Sequence, residues 1–321
     1  MVLYLSVCVI GLLLLVWSAD RFVSGASNLA KHLGLSPLLI GMIIIGFGTS
    51  APEMVVSAIS SFQGNPGLAI GNAYGSNITN ISLILGVTAL MAPIYIKSNV
   101  LKKELPILFS ITILSIILIQ DLFISRIDGL ILGMVFVGLM TWSIREGLKN
   151  SRDTLSKEVR QELKESAMPF NKSIVVLIVG LILLVASSRL LVYGAVGIAQ
   201  GLGVSDVIIG LTIVAIGTSL PELASSIIAA KKGEPDMAIG NVIGSNLFNT
   251  LAVVAIAATI NPLSIDQVIL HRDVTVMTIL TALMFIFAYG FKGKGRLARM
   301  EGGLLLLGYI IYTSFLIREM I

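Results

Sequence analysis

GFGTSAPEMVVS, residues Gly46 to Ser57, returns later in the chain as AIGTSLPELASS, Ala215 to Ser226. Each copy lies in the middle of an apolar stretch, and each carries one glutamate, Glu53 and Glu222. The match extends well beyond the motif. Residues 41–94 align with 210–263 without a gap, and about 21 of those positions are identical. Upstream, Ser18, Gly25, Gly34 and Ser36 fall on Ser187, Gly194, Gly203 and Ser205 at the same offset. The chain is therefore built on an internal repeat, and the best-conserved part of the repeat is also its most polar part.

Composition says where such a chain folds. Of its 321 residues, 56% are hydrophobic and 12% charged, against about 25% charged in soluble domains. A mean hydropathy of +0.97 leaves no room for a sizeable soluble domain. In lipid every backbone polar group must find its partner inside the protein, so only helices and closed barrels span. Barrel strands alternate apolar and polar residues over short segments. Here the apolar blocks run to the length that carries a helix across a hydrocarbon core of about 30 Å. Leu105–Ile119 and Ile174–Ala186 are examples, each extended by its flanks. The fold class is an all-α polytopic membrane protein. Cys8 is the only cysteine, so no intramolecular disulfide can form. His32 and His271 have no spaced partner and read as loop residues. A net charge of +4 is too small to suggest nucleic acid.

The pattern predicts ten transmembrane helices, at about 2–24, 36–61, 67–92, 101–120, 127–146, 171–198, 205–230, 236–260, 270–290 and 300–318. The apolar run Val2–Trp17 lacks the basic flank and small-residue cleavage site of a signal peptide, and it belongs to the repeat, so it reads as the first span. Residues 1–146 form the first repeat, 147–170 a charged cytoplasmic link and 171–321 the second repeat. Five spans per half is an odd number, which inverts the second half relative to the first. Inverted five-helix repeats place a transporter's site near mid-membrane, where the halves meet. Lys and Arg accumulate on the cytoplasmic side. With both termini extracytoplasmic, all of the 22 basic residues except Arg126, Arg189, Arg272 and Arg318 fall inside. This places the chain in the cell membrane as a multi-pass protein.

The chemistry lies in the repeated motif. A carboxylate at membrane depth is costly unless it has a partner or a task. Pro52 and Pro221 have no N–H to give the carbonyls of Gly48 and Gly217, four residues back. Glycines 46, 48 and 217 make the local backbone easy to unwind. Freed carbonyls, the hydroxyls of Thr49, Ser50, Thr218 and Ser219, and the two carboxylates make a dense oxygen cluster. Hard cations such as Ca2+ take about six to eight oxygens. With no sulfur or imidazole in reach, zinc and copper are poor substrates. In the following span GNAYGSNITN (71–80) is matched by GNVIGSNLFN (240–249). Ser76, Ser245, Asn80 and Asn249 there are aimed at the cation. Asn72, Asn77, Asn241 and Asn246 read equally as ligands or as interhelical hydrogen bonders. A lone proline with a nearby glutamate is often a structural kink, but two copies at inverted positions are hard to explain so. Asp20 and Arg189 are repeat equivalents that inversion separates, so they read as interface residues near helix ends, without a mutual salt bridge.

GTSAPE with GSNITN, and GTSLPE with GSNLFN, resemble the α-repeats of the cation/Ca2+ antiporter superfamily, specifically the sodium/calcium exchanger family and its prokaryotic members. The resemblance covers nearly the whole chain. It implies an antiporter, not an enzyme, that exchanges Ca2+ for Na+ by alternating access, with no cofactor, with these ions as substrates and the lipid bilayer as its surroundings. Spans 2, 3, 7 and 8 would form a core across which spans 1 and 6 slide. The implied ligands are Thr49, Ser50, Glu53, Ser76 and Asn80 with the Gly46 carbonyl, and Thr218, Ser219, Glu222, Ser245 and Asn249 with the Ala215 carbonyl. Glu53, Glu222, Thr49 and Thr218 would hold the Ca2+.

One departure matters. Many prokaryotic and potassium-dependent relatives have Asp where this chain has Asn249. The site then holds two formal negative charges, which one Ca2+ neutralises and three Na+ exceed by one. That predicts no potassium requirement, and electrogenic exchange if the ratio is three to one. The H+/Ca2+ branch carries a glutamate in a GNAxE pattern, where this chain has Gly75 and Gly244, so Na+ coupling is favoured over proton coupling. A membrane scaffold would have no reason to duplicate two costly carboxylates.

Overall fold

The computed structural model describes residues 1–96, 100–154, 168–204, 213, 215–289 and 295–320. Most of the charged link, the start of the expected seventh span, and Lys97, Lys292 and Lys294 lie outside them.

The described chain is dominated by helices. They are α1 (Val2–Leu33), α2 (Pro37–Phe62), α3 (Pro66–Thr79, Asn80–Ile84 and Leu85–Met91), α4 (Val100–Glu104 and Leu105–Leu118) and α5 (Arg126–Thr154). After the link come α6 (Phe170–Gly201), α7 (Ala215–Thr218 and Leu220–Lys231), α8 (Pro235–Ile260), α9 (Ile269–Tyr289) and α10 (Arg299–Met320). Among the described residues seven of these, α1, α2, α5, α6, α8, α9 and α10, are long and apolar enough to cross a membrane.

Helix starts and stops follow local chemistry. Proline opens α2, α3 and α8 at its first-turn position, where the missing N–H costs nothing. Left-handed glycines stop the helices: Gly34 (φ 66°) ends α1 and Gly203 (φ 79°) follows α6, while Gly64 (φ 74°) and Gly233 (φ 76°) follow α2 and α7. Only glycine takes that conformation without a Cβ penalty. Two short antiparallel ladders close the ends. Ile94–Tyr95 (β1) pairs with Arg296–Leu297 (β4), and Phe123–Ile124 (β2) with Leu263–Ser264 (β3).

The core is α8. In its most apolar window 83% of residues are buried, against 22% in α1 and in α6. A large apolar cluster joins it to α3, through Ile70, Tyr74, Ile78, Ile243, Leu247 and Leu251 among others. By contrast α1 and α6 lie at the periphery and pack along each other. A Cβ at Gly25 would stand 2.6 Å from the Leu177 nitrogen, and one at Gly180 2.6 Å from that of Phe22, so these glycines bring the two backbones together.

Several expectations change here. The first helix continues past residue 24 to Leu33, because Gly34 is its first left-handed stop. Asp20 and Arg189 accordingly lie well inside helices rather than near their ends. They form no ion pair with each other; Asp20 instead pairs with Lys232 at 2.8 Å. His32 is not in a loop: it lies in the last turn of α1, where its Nε2 meets the Met168 carbonyl at 2.6 Å. His271 lies in the wide first turn of α9.

Candidate cation site

α2 is an inside-out helix. Its buried face carries Gly46, Thr49, Ser50, Glu53 and Ser57, while Phe47, Val55 and Ile59 are each more than half exposed on its outer side. Such a helix suits a lipid exterior and a polar interior. Pro52 does not break it: a wider π turn over Gly41–Ile45 precedes, and the helix runs through the proline to Phe62. Its counterpart behaves differently, since α7 is interrupted at Ser219. Wide π turns also occur in α3 at Asn80–Ile84 and in α8 at Phe248–Val253, next to the polar residues in question.

Small residues let the helices close. A Cβ at Gly46 would sit 3.1 Å from the Ser245 nitrogen, so α2 and α8 touch backbone to backbone. Polar contacts then tie the elements together. Ser50 donates to Glu222 Oε1 at 3.5 Å, linking α2 to α7. The Thr49 hydroxyl is 3.0 Å from the Ile45 carbonyl and 3.3 Å from Asn241 Oδ1 on α8. Asn80 of α3 donates to Asn246 Oδ1 of α8 at 3.1 Å.

Two asparagines left open by the sequence now have a role. Asn72 Nδ2 donates to the Glu53 carbonyl (3.0 Å) and Ser57 Oγ (2.8 Å). Asn241 Nδ2 lies 3.3 Å from the Glu222 carbonyl and 2.9 Å from Ser226 Oγ. These are the same contacts in each copy of the repeat, and they fix the backbone at each glutamate. Asn77 donates to Thr250 Oγ1 at 2.8 Å.

Thr49, Ser50, Glu53, Ser76, Asn80, Ser219, Glu222, Ser245 and Asn249 are all buried. Thr218 is half-buried, and Ala215 opens the short helical turn before Ser219. The structure thus brings Ser50 of α2 directly against Glu222 of α7; Ser76 on α3 and Ser245 and Asn249 on α8 are buried, without a hydrogen bond to either glutamate among those seen. Acceptors dominate what is left over. Both Glu53 oxygens, Glu222 Oε2, Asn80 Oδ1, Asn249 Oδ1, Ser219 Oγ and Ser245 Oγ are buried without a hydrogen-bond partner. Orphaned buried polar atoms are rare. The Glu53 and Glu222 carboxylates also lie near enough to act on each other electrostatically. Among the described residues no three His, Cys, Asp or Glu side chains converge, so any cation here rests on neutral oxygens as well as the two carboxylates.

A cavity of about 370 Å3 reaches this region between α2, α6 and α7. Val185, Ser188, Arg189, Val192, Tyr193 and Val196 of α6 line one wall, facing Pro52, Val56, Gly217, Thr218 and Pro221. Where it meets α7, the Ser188 hydroxyl donates to the Gly217 carbonyl at 2.8 Å. Nothing in the sequence singled out Ser188, because its repeat counterpart is Ala19.

A bundle of apolar helices around buried, unsatisfied oxygens, with a cavity beside the Gly217–Thr218 turn, is the build of a membrane ion transporter. Comparison with known proteins places it further. The family described as Sodium/calcium exchanger protein matches residues 3–145 and 172–318, and the chain belongs to that family. It is 46% identical over 310 residues to the putative antiporter CaxA of Alkalimonas amylolytica, covering 96% of each chain. It is 30% identical over 344 residues to the sodium/calcium exchanger MaX1 of Methanosarcina acetivorans, covering 97% of each. A solved structure of the sodium-calcium exchanger NCX_Mj superposes with a TM-score of 0.84 at 35% identity, covering 98% of this chain and 99% of that one. The chain is accordingly a multi-pass membrane protein of a transporter family, not an enzyme family.

Proposed function

We propose that this protein is a secondary active antiporter that exchanges Ca2+ for Na+ across the cell membrane by alternating access. In this reading ten transmembrane helices form two inverted halves, residues 1–146 and 171–321, joined by the cytoplasmic link 147–170, with both termini outside. The cation ligands are Glu53, Glu222, Thr49, Thr218, Ser50, Ser219, Ser76, Ser245, Asn80 and Asn249, with the carbonyls of Gly46 and Ala215. α1 and α6 move across a core of α2, α3, α7 and α8, and the cavity along α6 is the route from one side.

The observation that carries the reading is the set of buried acceptor oxygens without donors on Glu53, Glu222, Asn80, Asn249, Ser219 and Ser245. Two carboxylates and several neutral oxygens fit a hard cation that takes about six to eight oxygens. The inverted halves draw support from the paired left-handed glycines and the paired asparagine contacts, which recur at the repeat offset. Coupling to Na+ draws support from the family and from the names of its relatives, and from Gly75 and Gly244 where proton-coupled exchangers carry glutamate.

Uptake of radiolabelled Ca2+ into vesicles of the purified protein tests this. An outward Na+ gradient is expected to drive uptake, and an inside-negative voltage to alter its rate. Uptake driven only by an outward H+ gradient would overturn Na+ coupling; uptake driven by neither would overturn the substrate.

A further inference from the structure

We infer that Ser188 is a positioning residue for cation binding: it links the position of α6 to the loosened turn of α7 that carries Thr218 and Ser219. The inference rests on the exchange reading above and names a residue outside both repeated motifs.

The argument begins with Pro221. Proline offers no N–H to the carbonyl four residues before it, and that carbonyl belongs to Gly217. A buried carbonyl without a donor is costly, so it takes one from elsewhere. Ser188, buried on α6, supplies it: its hydroxyl is 2.8 Å from the Gly217 oxygen. A serine inside a helix usually bonds back to its own helix. Neighbouring Ser187 does so, to the Leu184 carbonyl at 3.0 Å. Ser188 reaches across to α7 instead.

The location gives the bond its role. Gly217 precedes Thr218 directly, and α7 is interrupted at Ser219, two residues on. Ser219 Oγ is one of the buried acceptors without a partner. Ser188, Gly217, Thr218 and Pro221 all line the cavity between α6 and α7. The hydrogen bond therefore stands where the access route meets the ligand turn, and it joins the moving element of the proposed cycle to the fixed one.

The other half lacks this bond. Ala19 occupies the equivalent position on α1 and has no hydroxyl to offer Gly48, the counterpart of Gly217. The same GTSxPE motif there forms a helix continuous through its proline. The two halves thus differ in how the carbonyl before the ligand residues is held. With α6 in its present place, Ser188 holds the Thr218–Ser219 turn; displacement of α6 releases it.

Ca2+ uptake driven by a Na+ gradient tests this with Ser188→Ala, Ser188→Thr and Ser188→Cys beside the unaltered protein. Ser188→Ala is expected to raise the KM for Ca2+ about three- to tenfold, the weight of one net hydrogen bond, and to change the maximal rate less than about twofold. Ser188→Thr keeps the hydroxyl and has the cavity for its extra methyl, so KM returns toward that of the unaltered protein. Ser188→Cys, a weak donor, falls between, and serves if the alanine variant is not recovered. A purely structural role would lower the maximal rate through loss of folded protein and leave KM alone. An unchanged KM in Ser188→Ala, or equal shifts in the alanine and threonine variants, overturns the inference. Absence of uptake by the unaltered protein overturns the exchange reading instead.

Discussion

The hydroxyls of Ser18 and Ser187 meet 3.3 Å apart where α1 crosses α6. They are separated by 169 residues, the repeat offset, so each residue touches its own counterpart. Counterparts that touch must lie close to the axis that relates the two copies. The proposed inversion of the halves requires such an axis, and α1 and α6 would cross on it.

The two glutamates should separate function from stability. Removing one carboxylate charge takes away about 8 kcal/mol of attraction to a divalent cation at about 4 Å and an effective dielectric near 20, twice the figure for a unit charge. That is more than about a hundredfold in affinity. Glu53→Gln and Glu222→Gln are each expected to abolish measurable Ca2+ uptake. Burying a neutral amide is less costly than burying a carboxylate. Without Ca2+ these variants should therefore melt at or above the temperature of the unaltered protein, and added Ca2+ should no longer raise it. A variant that transports normally would remove that glutamate from the site.

The two N–H groups of Asn241 are shared among three acceptors, the Glu222 carbonyl and the hydroxyls of Ser225 and Ser226. Asn241→Ala leaves these buried groups with fewer donors, and about 1–3 kcal/mol of stability should go with them. Asn72→Ala should cost a similar amount through the Glu53 carbonyl and Ser57. Thermal melting in detergent checks both; no change in either would mean the asparagines do not hold the helices together.

Glycines should divide by what surrounds them. A Cβ at Gly25 would press on the Leu177 backbone, which cannot yield without parting the helices. Gly25→Ala should cost about 1–3 kcal/mol, as overpacking does. Nothing lies within 4 Å of a Cβ at Gly67, so Gly67→Ala should be neutral or gain up to about 1 kcal/mol from helix propensity. Melting temperatures that move the same way in both variants would contradict this.

The Asp20–Lys232 pair is well formed at 2.8 Å, but both side chains are about one-third or more exposed. Exposed pairs contribute less than about 1 kcal/mol. A double-mutant cycle with Asp20→Ala and Lys232→Ala should give a coupling energy below that figure. A larger value would mean that α1 is held to the end of α7 mainly by charge rather than by packing.

Much of this was legible in sequence because lipid leaves few choices. Apolar length marked the helices, and Glu53 and Glu222 pointed to the proposed site, since a carboxylate at depth needs a reason. Gly34, Gly64, Gly203 and Gly233 sit where helices stop, and the repeat aligns all four as two pairs. What stayed hidden were pairings that need three dimensions. The roles of Asn72 and Asn241 depend on which helix faces them, and an amide reads alike as ligand or as strut. The different courses of α2 and α7 through one motif could not be read from GTSxPE, which is common to both. Ser188 lay outside the motif altogether, as one serine among the apolar residues of α6.

The packing of α1 on α6 has one more consequence. Gly11 faces Leu191 as Gly180 faces Phe22, and Gly25 faces Leu177 as Gly194 faces Cys8. Each helix shows the other the surface it receives, which is how two copies of one chain meet in a symmetric dimer. In a homodimer every substitution appears twice, so neither side can change alone. Carried on a single polypeptide, the two faces are free to differ one residue at a time. Ala19 and Ser188 hold equivalent places and differ in this way, so under the proposed inversion the molecule would treat its two membrane faces unequally while keeping a symmetric frame.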